Sequence, residues 1–269
     1  MKRKPSEVSY HFYPHNSGAL RNMIGDMVDP HANKQKAISV ISPHAGYGYS
    51  GKVAGSVFSS VSLPENFIIL GPNHQGLTKD SFIMKQGVWE MPLGDVEINT
   101  TLADLIMKQS GELKESAKNH SQEHSLEVQV PFIQYLKGNF SFVPIVIAYF
   151  APYDELVRLG EAIAGAIREY GQDVMIVAST DMSHYVSQEE AKEKDFLAIE
   201  KILDLDACGL YDVVKREDIS MCGFQSTTAA IVASKELKAK KAELIKYQTS
   251  GDVSGDYLKV VGYAGIRII

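Results

Sequence analysis

Three apolar segments of the chain have the composition of buried strands, and each is followed by a histidine. The segments read AISVIS, NFIIL and DVMIVAS, and the histidines that follow them are His44, His74 and His184. In an open parallel sheet, ligands bind beyond the carboxyl ends of the strands. The sequence therefore predicts that imidazoles from three separate strands meet at one edge of a sheet, in a metal or acid–base centre.

Predicted strands alternate with predicted helices along the rest of the chain. Periodicity predicts helices at 20–28, 51–61, 100–109, 153–170, 188–203 and from Gly223 or Phe224 onward. The alternation predicts a three-layer α/β/α sandwich with a mixed, largely parallel sheet, in which the last two strands, 244–248 and 257–269, pair antiparallel. The 269 residues, 45% of them hydrophobic, are expected to form a single domain, 1–269.

Prolines and a turn modify the local predictions. Pro131 falls inside the helical pattern of 124–136 and predicts a kink or a restart there. Pro144 weakens the strand predicted over 142–147, because proline cannot donate to a sheet ladder. The segment 81–99 alternates around a Pro-Leu-Gly-Asp turn and predicts a hairpin-like excursion, after which Thr100 is expected to cap a helix.

Composition excludes several classes of function. The net charge is −6 and no basic patch contains interleaved aromatic residues, so the sequence predicts no nucleic-acid partner. No apolar run reaches the ~18 residues of a membrane-spanning helix. The start, MKRKPSEVSYHF, lacks the apolar region of a secretory signal, and two cysteines cannot form a disulfide framework. We therefore expect a cytoplasmic protein that acts on a small-molecule substrate.

The loops around the first two histidines have the residues of a ligand site. His44 lies in SPHAGYGYSG and His74 ends GPNH, and glycines in such loops permit close approach of a ligand. A ligating histidine needs its second ring nitrogen fixed, which a tight loop can provide. The alternative is a pair of loop histidines that only bond the backbone.

Cys222 precedes a predicted helix in the sequence MCGF. Helix N-termini favour thiolate, which binds zinc, iron or copper and is also a nucleophile. The alternative for Cys222 is a small buried apolar residue, and Cys208 fits that second description better.

Two further clusters offer acid–base groups. In EHSLE, His124 and Glu127 share a helical face and predict a base with its orienting carboxylate. The alternative is a structural role, in which Glu123 only favours the helix N-terminus. In STDMSHY, Asp181 and His184 are close enough to bond each other or a ligand, or Asp181 forms a local turn. The chain has no serine-hydrolase elbow, P-loop or dinucleotide-binding fingerprint.

Taken together, these segments resemble one family. PHAGYGYSG, LGPNH, EHSLEVQVPF, STDMSHY and MCGFQ occur in the order of the Memo family, from about residue 40 to the C-terminus. The resemblance implies a fold similar to class III extradiol dioxygenases, which bind non-haem Fe(II) through two histidines and a carboxylate. A cysteine replaces the carboxylate in the Memo pattern. The implied metal ligands are His44, His74 and Cys222, with His124, Asp181 and His184 beside them.

The resemblance also implies what the protein does. We expect a metal-dependent redox enzyme with iron or copper, or with zinc as an alternative. Because its site has an oxidisable thiolate ligand, the ring-cleavage activity of the dioxygenases is not expected to carry over to this protein. Prokaryotic members of the family resemble partners of a radical-SAM protein. Two alternatives stay open: a metal-free enzyme with Cys222 as nucleophile and His124 or His184 as base, and a peptide- or anion-binding module without catalysis.

Overall fold

The computed structural model describes residues 2–269. Its strands are β1 (Lys2–Arg3), β2 (Ser39–Ser42), β3 (Asn66–Pro72), β4 (Phe82–Ile83), β5 (Val88–Trp89), β6 (Val96–Ile98), β7 (Lys114–Glu115), β8 (Ser141–Ile147), β9 (Val174–Ser179), β10 (His184–Val186), β11 (Ala242–Thr249) and β12 (Val260–Ile268). Its α-helices are α1 (Ser17–Gly25), α2 (Tyr47–Ser59), α3 (Thr100–Ser110), α4 (His124–Glu127), α5 (Val130–Lys137), α6 (Tyr153–Tyr170), α7 (Gln188–Leu203), α8 (Ala207–Arg216), α9 (Phe224–Glu236) and α10 (Gly251–Ser254).

The order of the strands places the three histidine-bearing strand ends side by side. The sheet runs β1-β5-β6-β8-β3-β9-β2-β12-β10, with β11 also paired to β12 and β4 paired to β8 and β7. From β6 to β2 the neighbours are parallel, whereas β12 runs antiparallel to β2, β10 and β11. Because β9 lies directly between β3 and β2, the predicted convergence of strand ends occurs at one edge of the sheet.

Helices cover both faces of this sheet. In β3, Ile68 and Leu70 belong to the core beneath α3, α6, α8 and α9, whereas Phe67 and Ile69 belong to the core beneath α1, α2 and α5. Strands buried on both faces need continuous apolar runs, which explains the unbroken hydrophobicity of the segments in the sequence. The predicted three-layer α/β/α sandwich with a mixed, largely parallel sheet is confirmed, while its similarity to class III dioxygenases and its single-domain character stay predictions.

No helix among residues 2–269 combines the length and the apolar character needed to span a membrane.

The structure differs from several of the local predictions. The helix predicted across Pro131 restarts there: α4 ends at Glu127 and α5 carries Pro131 near its first turn, where no donor is needed. Pro144 is tolerated within β8 because it lies between the residues that pair with β6 and those that pair with β4. Asn99 rather than Thr100 caps α3, since its side chain accepts from the Leu102 amide. The helix α8 was not predicted.

The packing of α2 against the segment after α1 makes a testable prediction. A Cβ atom at Gly55 would overlap the backbone carbonyl oxygen of Met27, so Gly55→Ala should lower the free energy of unfolding by about 1–3 kcal/mol. Gly48, in the same helix, has open space around it and is the matched control. Gly48→Ala should be neutral or stabilising by up to about 1 kcal/mol, because alanine is the better helix former. Urea denaturation measures both; equal stabilities of the two variants would contradict this packing.

Candidate metal centre

His44, His74 and Cys222 meet at the carboxyl edge of the sheet. Their ligand atoms all lie within 4.8 Å of one another, and His44 Nε2 is 3.2 Å from Cys222 Sγ. The rings of His44 and His74 are nearly perpendicular, with centroids 5.2 Å apart. Two imidazoles and one thiolate are donors that suit iron, copper or zinc. The chemistry and spacing of this donor set therefore fit a bound metal ion.

Hydrogen bonds fix the ring of His44. Its Nδ1 is 3.0 Å from Ser179 Oγ, and that hydroxyl donates to the Ser125 carbonyl at 2.6 Å. The amide of Gln129 also donates to the hydroxyl, at 2.8 Å. Because the Ser179 hydroxyl proton is used in the hydrogen bond to the Ser125 carbonyl, Nδ1–H of His44 must be the donor in the hydrogen bond between His44 and Ser179. Nε2, the atom facing Cys222, is then available to a ligand when the ring is neutral, and it donates to the thiolate when the ring is protonated.

A buried carboxylate fixes the ring of His74. Glu123 accepts from His74 Nδ1 at 2.9 Å and from the His74 backbone N–H at 2.7 Å. Burial raises the pKa of Glu123, but the hydrogen bond from His74 and the charge of its ring lower it to about 2. Burial lowers the pKa of His74, but hydrogen bonds with Cys222 and Glu123 raise it to about 10. In the metal-free protein His74 is therefore an imidazolium beside the thiol.

Cys222 lies two residues before the start of α9 and close to the end of β9. A Cβ atom at Gly223 would overlap the Ser179 carbonyl oxygen, so the glycine allows this close approach. The Asp181 backbone N–H donates to Cys222 Sγ at 3.3 Å. Burial raises the pKa of Cys222, but the charge of His44 and hydrogen bonds with His44 and His74 lower it to about 7. Cys222 is therefore largely thiolate slightly above neutral pH, the form that binds metals.

Three more of the predicted residues line the same cavity. The ring of His124 stacks on His74 with centroids 4.6 Å apart, and burial together with the charge of His44 lowers its pKa to about 3. Asp181 accepts from the His44 backbone N–H at 2.8 Å, and burial raises its pKa. His184 Nδ1 is 2.8 Å from the Ser220 carbonyl, which leaves Nε2 as an acceptor. The structure thus brings together His124, Asp181 and His184 with the three candidate ligands.

Glu127 is not joined to this cluster. Its carboxylate is buried against Arg3, 2.7 Å from Nη1, and no hydrogen bond or ion pair within residues 2–269 links it to His124. The carboxylate near His124 is instead Glu123, at 3.6 Å. The predicted pairing of His124 with Glu127 is therefore not formed, because α4 turns Glu127 toward the N-terminal segment. Glu123, expected to favour the helix start, does so by accepting from the Ser125 N–H and also orients His74.

Sequence reasoning missed Phe12, Ser179 and Gln129. Phe12 stacks on the other face of His124, with centroids 4.1 Å apart, and nothing in its sequence context indicated this contact. Ser179 and Gln129 could have been suspected only from the strand end and the helix that carry them, since serine and glutamine are common throughout the chain.

A cavity of about 930 Å³ opens from the candidate metal centre. Beyond the histidines its walls are largely apolar, with Tyr149, Phe150, Met221 and Phe224 among them. Lys215 also lines it, held 2.9 Å from the Tyr211 hydroxyl. A second cavity of about 1000 Å³ lies beside the N-terminal segment and contains none of the predicted site residues. The first cavity is the better candidate for a substrate site because reactive groups converge in it.

The two cysteines should react differently with iodoacetamide in the metal-free protein. The alkylation rate of Cys222 should rise with pH to a plateau, with its midpoint near a pKa of about 7. Burial and the charge of Asp212 raise the pKa of Cys208, so Cys208 should still be gaining reactivity where Cys222 has levelled off. His74→Gln should move the midpoint of Cys222 upward, because it removes a hydrogen bond that stabilises the thiolate. Peptide mass spectrometry across pH measures both rates; a Cys222 midpoint at ~8.5, that of a free thiol, would contradict this electrostatic environment.

Sequence comparisons match nearly the whole chain to one family. A family model described as Memo-like protein matches residues 3–267. A MEMO1 family protein of Methanopyrus kandleri is 41% identical over 280 residues, covering 99% of this chain and 98% of that protein. Another, from Methanothermobacter thermautotrophicus, is 40% identical over 276 residues, covering 98% of this chain and 99% of that protein.

A solved structure is also similar to the fold. An uncharacterized protein from Escherichia coli superposes with a TM-score of 0.50 at 13% identity, covering 85% of this chain and 99% of that one. This likeness concerns the fold alone. Family membership rests instead on the sequence matches, which extend over nearly the whole chain: the chain belongs to the Memo-like protein family.

Proposed function

We propose that this Memo-like protein is a cytoplasmic metal-dependent oxidoreductase that binds one iron or copper ion through His44, His74 and Cys222. The observation that carries the proposal is the convergence of two oriented imidazoles and a thiol of lowered pKa, with ligand atoms within 4.8 Å of one another. When bound, iron or copper would supply one-electron redox chemistry and a Lewis acid. Zinc fits the same donors and would supply only the second.

The protein's own groups prepare this centre before a metal arrives. Ser179 holds His44 and Glu123 holds His74 so that Nε2 of each ring is directed away from its hydrogen-bonding partner. A ligand ring whose other nitrogen is hydrogen-bonded binds metal more tightly and in one orientation. The thiolate of Cys222 completes a set with three protein donors, which leaves room for a substrate atom.

His184 is the best placed proton acceptor of the cavity. Its Nδ1–H donates to the Ser220 carbonyl, so Nε2 is free to accept a proton from a substrate. His124 is held neutral by its low pKa of about 3 and therefore serves as a hydrogen-bonding group for a bound ligand. Asp181 fixes the loop of His44 because its carboxylate accepts a hydrogen bond from the His44 backbone N–H.

The substrate that fits is a small organic molecule. The cavity of about 930 Å³ has the size of sites that bury a small ligand, and its walls beyond the metal centre are apolar and aromatic. Lys215, which donates to the Tyr211 hydroxyl and lines the cavity together with Asp218, offers one cation for an acidic group of the substrate. The radical-SAM partner implied by the family resemblance stays a prediction.

A metal-free reaction with Cys222 as nucleophile is the second candidate function. It is favoured by the 3.2 Å separation of Cys222 Sγ from His44 Nε2, which is a nucleophile–base contact, and by the pKa of about 7 of this thiol. The same two features serve metal ligation, so metal analysis must decide between the two functions.

Metal content of protein purified without oxygen tests the proposal directly. We expect close to one iron or copper ion per chain in the parent, and loss of that metal in His44→Ala and Cys222→Ser, because each removes a donor. Cys208→Ser is the matched control and should retain the metal, since Cys208 lies outside the donor set. Parent protein that contains no metal and does not bind added Fe(II), Cu(I) or Zn(II) would refute the metal centre. That result would favour a metal-free enzyme with Cys222 as nucleophile, or a binding module.

The carboxylate behind His74 should contribute to metal affinity. Glu123→Gln keeps the shape of the side chain but removes the charge that holds His74, so the dissociation constant for Co(II) should rise by about 10–100-fold. The absorption of the cobalt–thiolate bond in a titration reports this constant. Glu155→Gln, at a carboxylate that bonds Ser81 outside the site, should match the parent. An unchanged constant in Glu123→Gln would show that the carboxylate does not support the ligand.

A further inference from the structure

Glu127 is a buried carboxylate that the proposed chemistry does not use. Three groups reach it, and all come from the first thirteen residues of the chain. The Ser6 N–H and the Tyr13 hydroxyl donate hydrogen bonds to it at 3.0 and 2.5 Å, and Arg3 Nη1 forms an ion pair with it at 2.7 Å. Both Arg3 and Glu127 are almost fully excluded from solvent. Removing one partner of a buried ion pair leaves the other charge uncompensated, so each of these two charges depends on the other to stay buried.

The same arginine bonds two other points of the segment that ends in Glu127. Arg3 Nε donates to the His120 carbonyl at 2.8 Å, and Nη2 donates to the Glu123 carbonyl at 3.1 Å. Its guanidinium group lies 3.9 Å from the centroid of the Trp89 ring. A planar fork with several donors can make these contacts at once, whereas a lysine ammonium cannot. Arg3 therefore fixes residues 120–127 at three points.

Residues 120–127 carry the groups that orient one of the candidate ligands. The Glu123 carboxylate accepts two hydrogen bonds from His74, and His124 stacks on the His74 ring. The N-terminal segment reaches His124 a second time through Phe12, which stacks on its outer face. A continuous path of direct contacts thus leads from Arg3 to the ring of His74.

We propose that the N-terminal segment, residues 2–13, is part of the metal centre, and that the Arg3–Glu127 pair positions Glu123 and His124 against His74. Arg3 and Glu127 are positioning residues that touch neither metal nor substrate. The strand β1 has only two residues and lies at the edge of the sheet, too short to hold the segment without other contacts. Tyr13 is buried in the core and the Phe12 carbonyl accepts from the Tyr47 N–H, so loss of the ion pair would loosen the segment from residues 120–127 while the central strands stay folded.

The inference rests on the proposed metal centre, so its test includes a measurement on the metal-free protein. Hydrogen exchange of the backbone amides of His74 and Ser125 reports on Glu123, because both amides donate to its carboxylate. Arg3→Met should accelerate exchange in peptides covering 72–76 and 123–128 while leaving the central strand β9 unchanged. The double variant Arg3→Met/Glu127→Met leaves no unpaired buried charge and should give the same local result if the single variant folds poorly.

Cobalt binding provides the second measurement. The dissociation constant for Co(II) should rise about tenfold in Arg3→Met, the loss typical of groups that support metal ligands, and Arg3→Lys should restore part of the affinity. Arg267→Met is the matched control: Arg267 binds Glu243 and the Ser60 carbonyl at the far end of α2, so its loss should leave cobalt affinity unchanged.

The outcomes separate the two proposals. Unchanged exchange at 72–76 and 123–128, or reduced global stability with unchanged cobalt affinity, would overturn the positioning role and make the ion pair purely structural. Failure of the parent protein to bind Co(II) would overturn the metal centre. In that case the exchange of the metal-free variants still decides whether the N-terminal segment orders Glu123 and His74.

Discussion

The pairing of β9 with two parallel neighbours is the constraint on which the rest of the site depends. Ser179 lies opposite Ser42 in β2, and Ala178 lies opposite Leu70 in β3, so the three strands end at nearly the same level. Strands in a sheet are ~4.8 Å apart, a spacing that loops a few residues long can bridge with side chains. The backbone hydrogen bonds of a buried sheet thereby bring together the short loops and the turn that carry the three donors.

The charged groups at this edge of the sheet make the affinity for a metal ion depend on pH. Without metal, His74 is protonated between the Glu123 carboxylate and the Cys222 thiol, with a pKa of about 10. A metal ion must displace that proton to reach the ring, so binding releases protons and strengthens as pH rises. Glu123, with a pKa of about 2, remains ionised throughout, and it stabilises either the proton or the metal on the far side of the imidazole.

Much of the architecture could be predicted from the sequence because it follows from periodicity and strand ends. Continuous apolar runs required a sheet buried on both faces, and histidines at their ends required a common edge. The choice between Glu123 and Glu127 as the partner of the site could not be made this way. Helical spacing permits either carboxylate to face the site. Glu127 faces away from it because it pairs with Arg3, which is 124 residues away in the chain. No sequence pattern links Arg3 to that carboxylate. Phe12 was missed for the same reason: its contact with His124 is purely tertiary.

The contact between the N-terminal segment and residues 120–127 joins two parts of the chain that are synthesised at different times. Arg3 leaves the ribosome first, yet its acceptors His120, Glu123 and Glu127 follow more than a hundred residues later. Synthesis at about 5–20 residues per second separates the two by at least several seconds, during which this arginine has no partner. Closure of the segment therefore waits for the synthesis of residues 120–127, and it is not among the local contacts that form first.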